Sequence, residues 1–364
     1  IVLTDTENRN EMINRLLQMN IEPRKIILWN NRGIIEPFNL KSADGMDFAF
    51  MEGLQFRIRN EDDLKFLHEI HGMLQTQRQF YAVDPIYYPA MVVQRYQEIF
   101  GKPLDLGNTK TWTEKMQWLK LFDVTPLKTR LADKYLVRQW VAEKIGEQYL
   151  IPLYGAWNNF DEIDFDILPN QFVLKCNHGC GMNIICRDKN NFDIDDAREK
   201  LTAWLSIDYG TPYFELQYSD IPRKIIAEKF MLAEKNADMK NYNFWCFDGK
   251  PYYCVYESRN PDNVLDTNFN MDFFDMNWKH TGIERYDFPR NTKIKHFPKP
   301  KNFEQMKKIA AELCKDFSHV CVDLYEIDGK VYFGEMTFTR HSGWIKFKSE
   351  GTDEHFGKLM TLPT

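Results

Sequence analysis

Two acidic residues near the end of the 364-residue chain are spaced so that they could hold a metal ion. Asp323 and Glu335 lie on either side of Asp328-Gly329, a pair typical of a tight turn between antiparallel strands. Because successive side chains of a strand point to opposite faces, the loop length decides whether the carboxylates meet. A three-residue loop with a left-handed glycine would place Asp323, Glu335 and Thr337 on one face, whereas a two-residue loop would separate them. We predict the three-residue loop and, on that face, a site for a hard divalent cation.

The opposite face of this predicted hairpin is apolar and suited to packing on a core. Its residues are Val322, Leu324, Tyr332, Gly334, Met336 and Phe338. The alternative is an ordinary amphipathic hairpin whose exposed acids have no function. The motifs upstream in the chain favour the metal site.

A lysine followed by a glycine-rich loop forms the second motif, in FVLKCNHGCGMNII at residues 172–185. Lys175 ends a predicted strand, and a loop with Gly179 and Gly181 lets backbone N–H groups meet phosphate oxygens beside the lysine. The motif is neither the P-loop nor the dinucleotide fingerprint, and a tight hairpin whose glycines serve the turn explains it equally well. A zinc site ranks below phosphate because the spacing fits no closed zinc pattern. Its ligands would be Cys176, His178, Cys180 and Cys186.

Two further motifs place charge where an anion or a nucleotide could bind. LADKYLVRQWV at residues 131–141 puts Lys134 and Arg138 on one face of a predicted helix, facing either solvent or an anion. In KIIAEKFMLAEK at residues 224–235, a predicted strand ends in Glu228 and Lys229. Such a strand end leaves a carboxylate and backbone groups free for an adenine ring and ribose, although an edge strand entering a charged loop fits equally.

Composition excludes several classes of protein. The length allows two or three domains, and the aromatic content of 15% supports large cores. The net charge of −6 predicts no nucleic-acid surface, and no apolar run approaches the roughly 18 residues of a membrane span. Seven cysteines, an odd number, and a start without a secretory pattern favour reduced thiols in a cytoplasm. We expect a soluble cytoplasmic protein.

The first region of the chain, residues 1–90, differs in pattern from the rest. Residues 1–29 predict strand, helix and strand, as in the last unit of a doubly wound α/β sheet. Asn60 then begins a helix that runs to about residue 77. Because the apolar run starts at Ile1 without an initiator methionine, we expect a piece of a longer polypeptide.

The remaining regions change from helical to mixed. Residues 91–150 form a helical lead-in, and from residue 151 short strands alternate with turns. The predicted strands are 172–175, 184–186, 224–230, 244–247 and 252–256. We divide this part into a unit over 151–232 and a unit over 233–364 that carries the acidic hairpin. The class is α+β and largely antiparallel.

Taken in order, the helix-borne lysine, the lysine with its glycine loop, the Glu-Lys strand end and the Asp…Glu-x-Thr hairpin resemble the ATP-grasp superfamily. Within this superfamily, several segments are similar to the TupA-like group, which is associated with teichuronopeptide biosynthesis. These segments are ADKYLVR, EKIGEQYLIPLYG, LPNQFVLKCNHGCGMNIICRDK, IIAEKF, VDLY and YFGEMTFT. The resemblance covers about residue 111 to the C-terminus and leaves residues before about 90 unexplained. It implies an ATP-grasp fold, in which two α+β subdomains sandwich ATP, preceded here by an N-terminal α/β and helical region.

The resemblance also implies a nucleotide site and a metal site. The lysines would contact the phosphates of ATP, the glycine loop would close over them, and the strand end would hold adenine and ribose. The nucleotide set is Lys134, Lys175, His178, Gly179, Gly181, Glu228, Lys229, Met231 and Glu234. Asp323, Glu335 and Thr337 would bind Mg²⁺, and two ions are expected.

Two positions depart from the pattern of many ATP-grasp ligases. Thr337 stands where they carry the asparagine of the metal set. Cys321 stands where they carry an arginine aimed at the acyl phosphate, so another cation must take that role. Arg340 and His341, which follow the metal strand directly, are the first candidates, and Arg259 comes second.

By analogy with this group, the function is ATP-dependent ligation of a carboxylate to an amine through an acyl phosphate. The acid would be a hexuronate such as glucuronate in a bacterial capsular polysaccharide precursor, and the amine a small one. We also expect a glycosyltransferase module that is fused to or associated with this chain. The protein would act at the inner face of the membrane. An ATP-grasp kinase or phosphotransferase, and a catalytically silent glycosyltransferase partner, are the alternatives.

Overall fold

The structure is a computed structural model that describes residues 2–4, 27–29, 38–41, 47–51, 54–58, 60–81, 83–231, 241–259 and 269–363. Its helices are α1 Glu61–Tyr81, α2 Tyr88–Phe100, α3 Trp112–Phe122, α4 Pro126–Ala132, α5 Val137–Ile145, α6 Ile194–Ser206, α7 Phe303–Cys314 and α8 Thr352–Lys358. Its first strands are β1 Val2–Thr4, β2 Ile27–Trp29, β3 Phe38–Lys41, β4 Asp47–Met51, β5 Leu54–Ile58, β6 Leu153–Trp157 and β7 Phe172–Cys176. The later strands are β8 Asn183–Cys186, β9 Ile225–Lys229, β10 Asn241–Phe247, β11 Lys250–Arg259, β12 Phe269–Asp275, β13 His319–Ile327 and β14 Lys330–Thr337.

The larger sheet is antiparallel and has the strand order β12-β11-β10-β13-β14. Alternating side chains divide between its two faces. Phe244 and Val322 on one face are buried in a core with Phe303 of α7. On the other face, Trp245 is buried in a core with Trp112 of α3, and Phe356 of α8 belongs to the same cluster. The sheet is therefore covered on both faces by helices.

The smaller antiparallel sheet has the order β6-β9-β7-β8. Phe172 of β7 and Leu201 of α6 are buried in its core. Leu67 and Ile70 of α1 are buried in that same core, and so is Phe56 of β5. Helix α1 is thus an integral part of this half of the molecule.

The strands near the N-terminus form two small sheets. β1 and β2 pair in parallel, which the predicted α/β unit requires, while its helix lies outside the described residues. β3, β4 and β5 form an antiparallel meander. Helix α1 spans Glu61–Tyr81 and so extends beyond its predicted end.

The α+β class with largely antiparallel strands is confirmed. The predicted strands after residue 151 are all present, and the largest differences are in β10, which begins at Asn241, and β11, which continues to Arg259. Among the helices within the described part of the chain, none combines the length and apolar character of a membrane span.

Candidate active site

The acidic hairpin is β13–β14, and its loop is shorter than predicted. Ile327 pairs directly with Lys330, so only Asp328 and Gly329 form the loop. Both have positive φ, 51° and 74°, as type I′ turns require. The predicted three-residue loop is wrong, because Asp-Gly is also the preferred pair for the two-residue turn.

A β-bulge restores the pairing of the two carboxylates. Leu324 pairs with Phe333 but Asp323 pairs with Glu335, so Gly334 is the extra residue in β14. A Cβ added at Gly334 would lie 2.9 Å from the ring of Tyr325, which explains the glycine there. Asp323 and Glu335 therefore meet as predicted, but through a bulge rather than through the loop.

The bulge also changes which residues reach the core. Val322, Leu324, Met336 and Phe338 are buried, as predicted. Between the bulge and the turn the buried residues are Val331 and Phe333, so the predicted places of Tyr332 and Gly334 in the apolar face are wrong. One inserted residue reverses the faces of everything beyond it.

A cleft of about 640 Å³ lies between the two large sheets and receives side chains from both. Most of the predicted site residues line it. They are Lys134, Lys175, Gly179, Gly181, Glu228, Asp323, Glu335, Thr337, Arg340 and His341. The structure thus brings together motifs that are up to two hundred residues apart in sequence, while their individual roles stay predictions.

Lys134 reaches the cleft from a turn, not from a helix. It lies between α4 and α5, where the Asp133 carboxylate accepts hydrogen bonds from the backbone of Tyr135 and Leu136. These bonds stabilise the turn and end the predicted continuous helix. Lys134 Nζ lies 3.1 Å from Glu335 Oε2 and donates to Gly179 O at 2.8 Å. The lysine therefore joins the acidic hairpin to the glycine loop.

Glu228 is held between two cations at the end of β9. Lys175 Nζ lies 2.7 Å and Arg138 Nη1 3.0 Å from its two carboxylate oxygens. Arg138 also donates to Ile151 O at 2.6 Å. Val137, Leu150 and Ile151 add apolar lining at this end of the cleft. The combination of a buried carboxylate and apolar side chains suits an adenine nucleoside.

Asp323 lies in a second cluster of charges. Arg340 bonds to Glu257 of β11 and approaches Asp323 at 3.6 Å. Burial is the largest cause that raises the pKa of Asp323 to about 7; the carboxylates Glu335 and Glu257 contribute to the rise, and Arg340 opposes it. In contrast, Lys134 holds the pKa of Glu335 below its usual value. Further positive charge near Asp323 would favour its ionised form.

Arg340 lies beside Asp323, whereas Cys321 brings no charge to the cleft. Cys321 is fully buried in the core beneath the sheet, and burial raises the pKa of its thiol, so it cannot supply a charge. Arg340 instead enters from the segment after β14. His341 follows it and lines the cleft with an exposed side chain; partial desolvation there, together with Arg285 and Arg340, lowers its pKa.

The donor set fits Mg²⁺ held jointly with phosphate. Two asparagines of β10 donate to Asp323, Asn241 at 3.2 Å and Asn243 at shorter range, and their side-chain oxygens have no hydrogen-bond partner. Carboxylate and amide oxygens are the ligands that hard cations prefer. Within the described residues, no three His, Cys, Asp or Glu side chains could hold a metal by themselves. Mg²⁺ takes few protein ligands and completes its shell with phosphate and water.

Several predicted residues lie away from the cleft. His178 bonds to Trp204 O and Ile207 O, both at 3.2 Å, and burial lowers its pKa to about 4. With this arrangement, and with Cys176 and Cys186 buried as free thiols, the zinc alternative is wrong. Neither Lys229 nor Met231 is among the residues that line the cleft.

Two predicted residues cannot be placed. Glu234 lies outside the described residues. Arg259 ends β11, and only its backbone is described.

The prediction missed residues for two reasons. Asn241, Asn243 and Glu257 lie on the ends of strands that were predicted too short, although the pairing of β10 with β13 would have placed Asn243 directly opposite Asp323. Other lining residues belong to no motif. They are Tyr209, Tyr213, Glu215 and Tyr218 from one irregular segment.

Comparison with known proteins places this cleft in a family. A family model described as TupA-like ATPgrasp matches residues 114–361. No sequence among the curated proteins matches the chain.

Among solved structures, the chain is similar to an N5-carboxyaminoimidazole synthetase from Staphylococcus aureus complexed with ADP, at 12% identity and a TM-score of 0.32. That alignment covers 64% of this chain and 52% of the synthetase, so the chain spans about half of its length. The ATP-grasp ligase PsnB complexed with a minimal precursor is 7% identical over 92% of this chain and 89% of its own, with a TM-score of 0.35. A D-alanine–D-alanine ligase from Bacillus anthracis is 14% identical, with a TM-score of 0.34. That alignment covers 93% of this chain and 85% of the ligase.

The assignment rests on the family match, since the structural scores are low. The matched residues contain both large sheets, the glycine loop and the acidic hairpin. The chain belongs to the TupA-like ATP-grasp family.

Proposed function

We propose that the protein is an ATP-dependent ligase that joins a carboxylate to an amine and releases ADP and phosphate. The observation that carries the proposal is the pairing of charges in one cleft. Lys134 and Lys175 each contact a carboxylate that also lines the cleft, Glu335 and Glu228. Cations held in place by neighbouring acids can exchange those acids for phosphate oxygens without rearranging the backbone.

The nucleotide would lie along the cleft from Glu228 to Asp323. Its base would contact the apolar side chains of Val137 and Ile151, and its phosphates the two lysines and the backbone of the glycine loop. Asp323 and Glu335 would hold Mg²⁺, two ions in our proposal, which neutralises charge on the phosphates when bound.

The reaction then needs positioning and charge rather than a protein nucleophile. A carboxylate oxygen of the acid attacks the γ-phosphorus of ATP, the bond to ADP breaks, and an acyl phosphate forms. The amine nitrogen attacks the acyl carbon, phosphate leaves, and the amine loses a proton. Arg340, held by Glu257 beside Asp323, is placed to stabilise negative charge on the acid and on the leaving phosphate.

The substrates are proposed from family membership. The acid would be a hexuronate, such as glucuronate of a bacterial capsular polysaccharide precursor, and the amine a small one. A glycosyltransferase module would act beside it, at the inner face of the membrane. The chemistry of the cleft supports a carboxylate acceptor, while the sugar and the pathway rest on analogy.

ADP release tests the activity. Purified protein with ATP and Mg²⁺ is given glucuronate-type acids and a panel of amines in all combinations. Turnover that needs both acid and amine, with one phosphate released per ADP, supports the ligase. A phosphorylated acid that persists without amine would favour the kinase.

Nucleotide binding can be measured without turnover. Cys180 in the glycine loop is exposed, whereas the other six cysteines are buried. A thiol reagent should modify Cys180, and Mg-ATP should slow that modification. Absence of protection by Mg-ATP in the wild-type protein would contradict both the ligase and the kinase and would favour the silent partner.

A further inference from the structure

One wall of the cleft is formed by residues 208–219, which no motif identifies. Tyr209, Tyr213 and Tyr218 all line the cleft and are partly exposed. The rings of Tyr209 and Tyr218 meet edge to face at 5.3 Å, and those of Tyr209 and Tyr213 lie 6.0 Å apart. We call residues 208–219 the tyrosine wall. It presents several flat amphipathic surfaces to a ligand.

The backbone of the tyrosine wall is fixed by a buried carboxylate. Asp208 accepts hydrogen bonds from the backbone of Gly210 and Thr211 and from the hydroxyls of Thr211 and Ser219. Within this segment Phe214 has a φ of 58°, a left-handed conformation that is costly for a bulky side chain. Such strain persists only where the surroundings enforce it, and it concentrates at functional sites.

The surroundings that enforce it come from the region before the family match. The ring of Phe214 packs edge to face on Phe80 of α1 at 4.8 Å and on Tyr88 of α2 at 5.6 Å. Gln77 of α1 accepts from the backbone N–H of Asp208 at 2.8 Å, and the Tyr81 hydroxyl donates to the Asp208 carboxylate at 3.0 Å. All four residues precede residue 114, where the match begins.

The other side of the tyrosine wall is joined to the segment that carries Arg340. The Thr339 hydroxyl donates to Glu215, and Gln217 donates to Thr339 at 2.7 Å. Lys120, completely buried, donates to Tyr213 O at 3.1 Å and to Ser342 O at 2.8 Å. Buried hydrogen bonds therefore join the wall to the segment that carries Arg340.

We infer that the tyrosine wall binds the acid substrate, that this substrate carries its carboxylate on a sugar ring, and that α1 is the element that positions the wall. The inference rests on the proposed function. A sugar ring has apolar C–H faces that pack on tyrosine rings and hydroxyls that bond to their rims, while the carboxylate meets Arg340. Gln77 and Tyr81 are then positioning residues, since they contact Asp208 and not the substrate.

Three matched probes test the class of ligand. Glucuronic acid has a ring and a carboxylate, gluconic acid a carboxylate without the ring, and glucose a ring without the carboxylate. Binding to the wild-type protein with a non-hydrolysable ATP analogue is measured by saturation-transfer NMR. We expect glucuronic acid to bind at least tenfold more tightly than either of the others. Equal binding of gluconic acid, or no binding of glucuronic acid, would overturn the inference.

Substitutions locate the bound sugar. Tyr213→Leu keeps apolar bulk but removes the flat ring. It should weaken the binding of glucuronic acid about three- to tenfold and leave the protection of Cys180 by Mg-ATP unchanged. Tyr286→Ala, 65% exposed and not part of the cleft lining, is the control and should change neither. If Tyr213→Leu weakens ATP instead, the wall belongs to the nucleotide. If ATP does not protect Cys180 in the wild-type protein, the proposed function fails. The sugar site is tested separately, by the binding titration with glucuronic acid.

The role of α1 needs a separate variant. Gln77→Ala with Tyr81→Phe removes two hydrogen bonds with Asp208 and truncates only one half-buried side chain, so the fold should survive. We expect glucuronic acid binding to weaken about threefold or more, with ATP protection unchanged. Thr76→Ala, which loses only a bond to Gly72 O within the same helix, is the control. A double variant that binds glucuronic acid like the wild type would remove α1 from the site.

Discussion

The two ends of the cleft are built differently. At the nucleotide end, Lys175 and Glu228 belong to neighbouring strands, and their contact follows directly from the pairing of β7 with β9. At the acceptor end, Lys120, Glu215 and Arg340 come from a helix and two irregular segments that are far apart in sequence. One end depends on strand register, and the other depends on buried polar contacts between segments.

The difference extends to the backbone. At the nucleotide end the left-handed residue of the glycine loop is Gly181, for which a positive φ costs little. At the acceptor end Phe214, His341 and Ser342 all have positive φ, and none is a glycine. Each such residue costs of order 1–3 kcal/mol and must be held by its neighbours. We therefore expect the contacts at the acceptor end to be the more costly to disturb.

The largest effect should come from the acids between the two ends. Asp323→Asn combined with Glu335→Gln removes both proposed ligands of Mg²⁺, and we expect turnover to fall by about 10² or more, because charge on the phosphates is no longer neutralised. ADP release measures the loss, and circular dichroism checks the fold. Glu304→Gln combined with Glu312→Gln removes two acids of α7 that do not line the cleft; this variant is the control and should retain most activity. An active double variant would remove the metal assignment.

The sequence allowed the nucleotide end to be predicted better than the acceptor end for a physical reason. Short motifs encode strand ends and glycine loops, so Lys175, Gly179 and Glu228 could be placed together without a structure. The pairing of Asp323 with Glu335 was predicted correctly from a wrong loop, because the signal of the bulge, a single glycine within a strand at Gly334, was overlooked. The tyrosine wall could not be predicted, since its shape depends on Phe214 packing against α1 and α2.

Removing one buried cation at each end should show which end tolerates less. Arg340→Met leaves Asp323 and Glu257 without their shared guanidinium, and breaking such a buried cluster costs about 3–5 kcal/mol. Lys175→Met is the matched variant, and because Arg138 still pairs with Glu228 we expect a loss of about 1 kcal/mol or less. Urea unfolding at pH 7.5 gives both values. Equal losses in the free energy of unfolding would mean that the contacts at the acceptor end are not the more costly to disturb.

Two lysines should respond to pH in opposite ways. Burial lowers the pKa of the completely buried Lys120 to about 7. Desolvation also lowers the pKa of the half-buried Lys134, but the acidic groups around it, Glu335 first among them, together outweigh that effect and raise its pKa above its usual value.

The sign follows from proton binding in the folded and unfolded states. Between about pH 7 and pH 10.5, Lys120 is protonated in the unfolded state but neutral in the folded state. The free energy of unfolding therefore rises with pH from about 7 towards about 10.5, and this gain is lost again as the pH falls to about 7. For Lys134 the stabilisation is complete below its ordinary pKa and is lost only as pH rises beyond it.

Unfolding measurements at pH 7 and pH 9 separate the two lysines. From pH 7 to 9 we expect Lys120 to add about 2 kcal/mol to the free energy of unfolding, and Lys120→Met should remove this rise. Lys134→Met serves as the control, because its difference from the wild type should stay constant between these two pH values. A Lys120→Met protein that keeps the wild-type pH dependence would contradict the lowered pKa.

The smallest effect should appear where the two ends touch. A Cβ added at Gly179 would lie 2.9 Å from the ring of Tyr209 and 2.9 Å from Met182 Sδ, so the glycine loop lies directly against the tyrosine wall. Gly179→Ala should weaken both Mg-ATP and glucuronic acid by about threefold, or about 0.7 kcal/mol, because these side chains can shift to relieve the contact. Gly181→Ala is the matched control: it meets nothing within 4 Å, but its φ of 76° strains an alanine. That strain should weaken ATP alone, as measured by Cys180 protection. If Gly179→Ala also affects only ATP, the two ends act independently and the contact through Tyr209 transmits nothing between them.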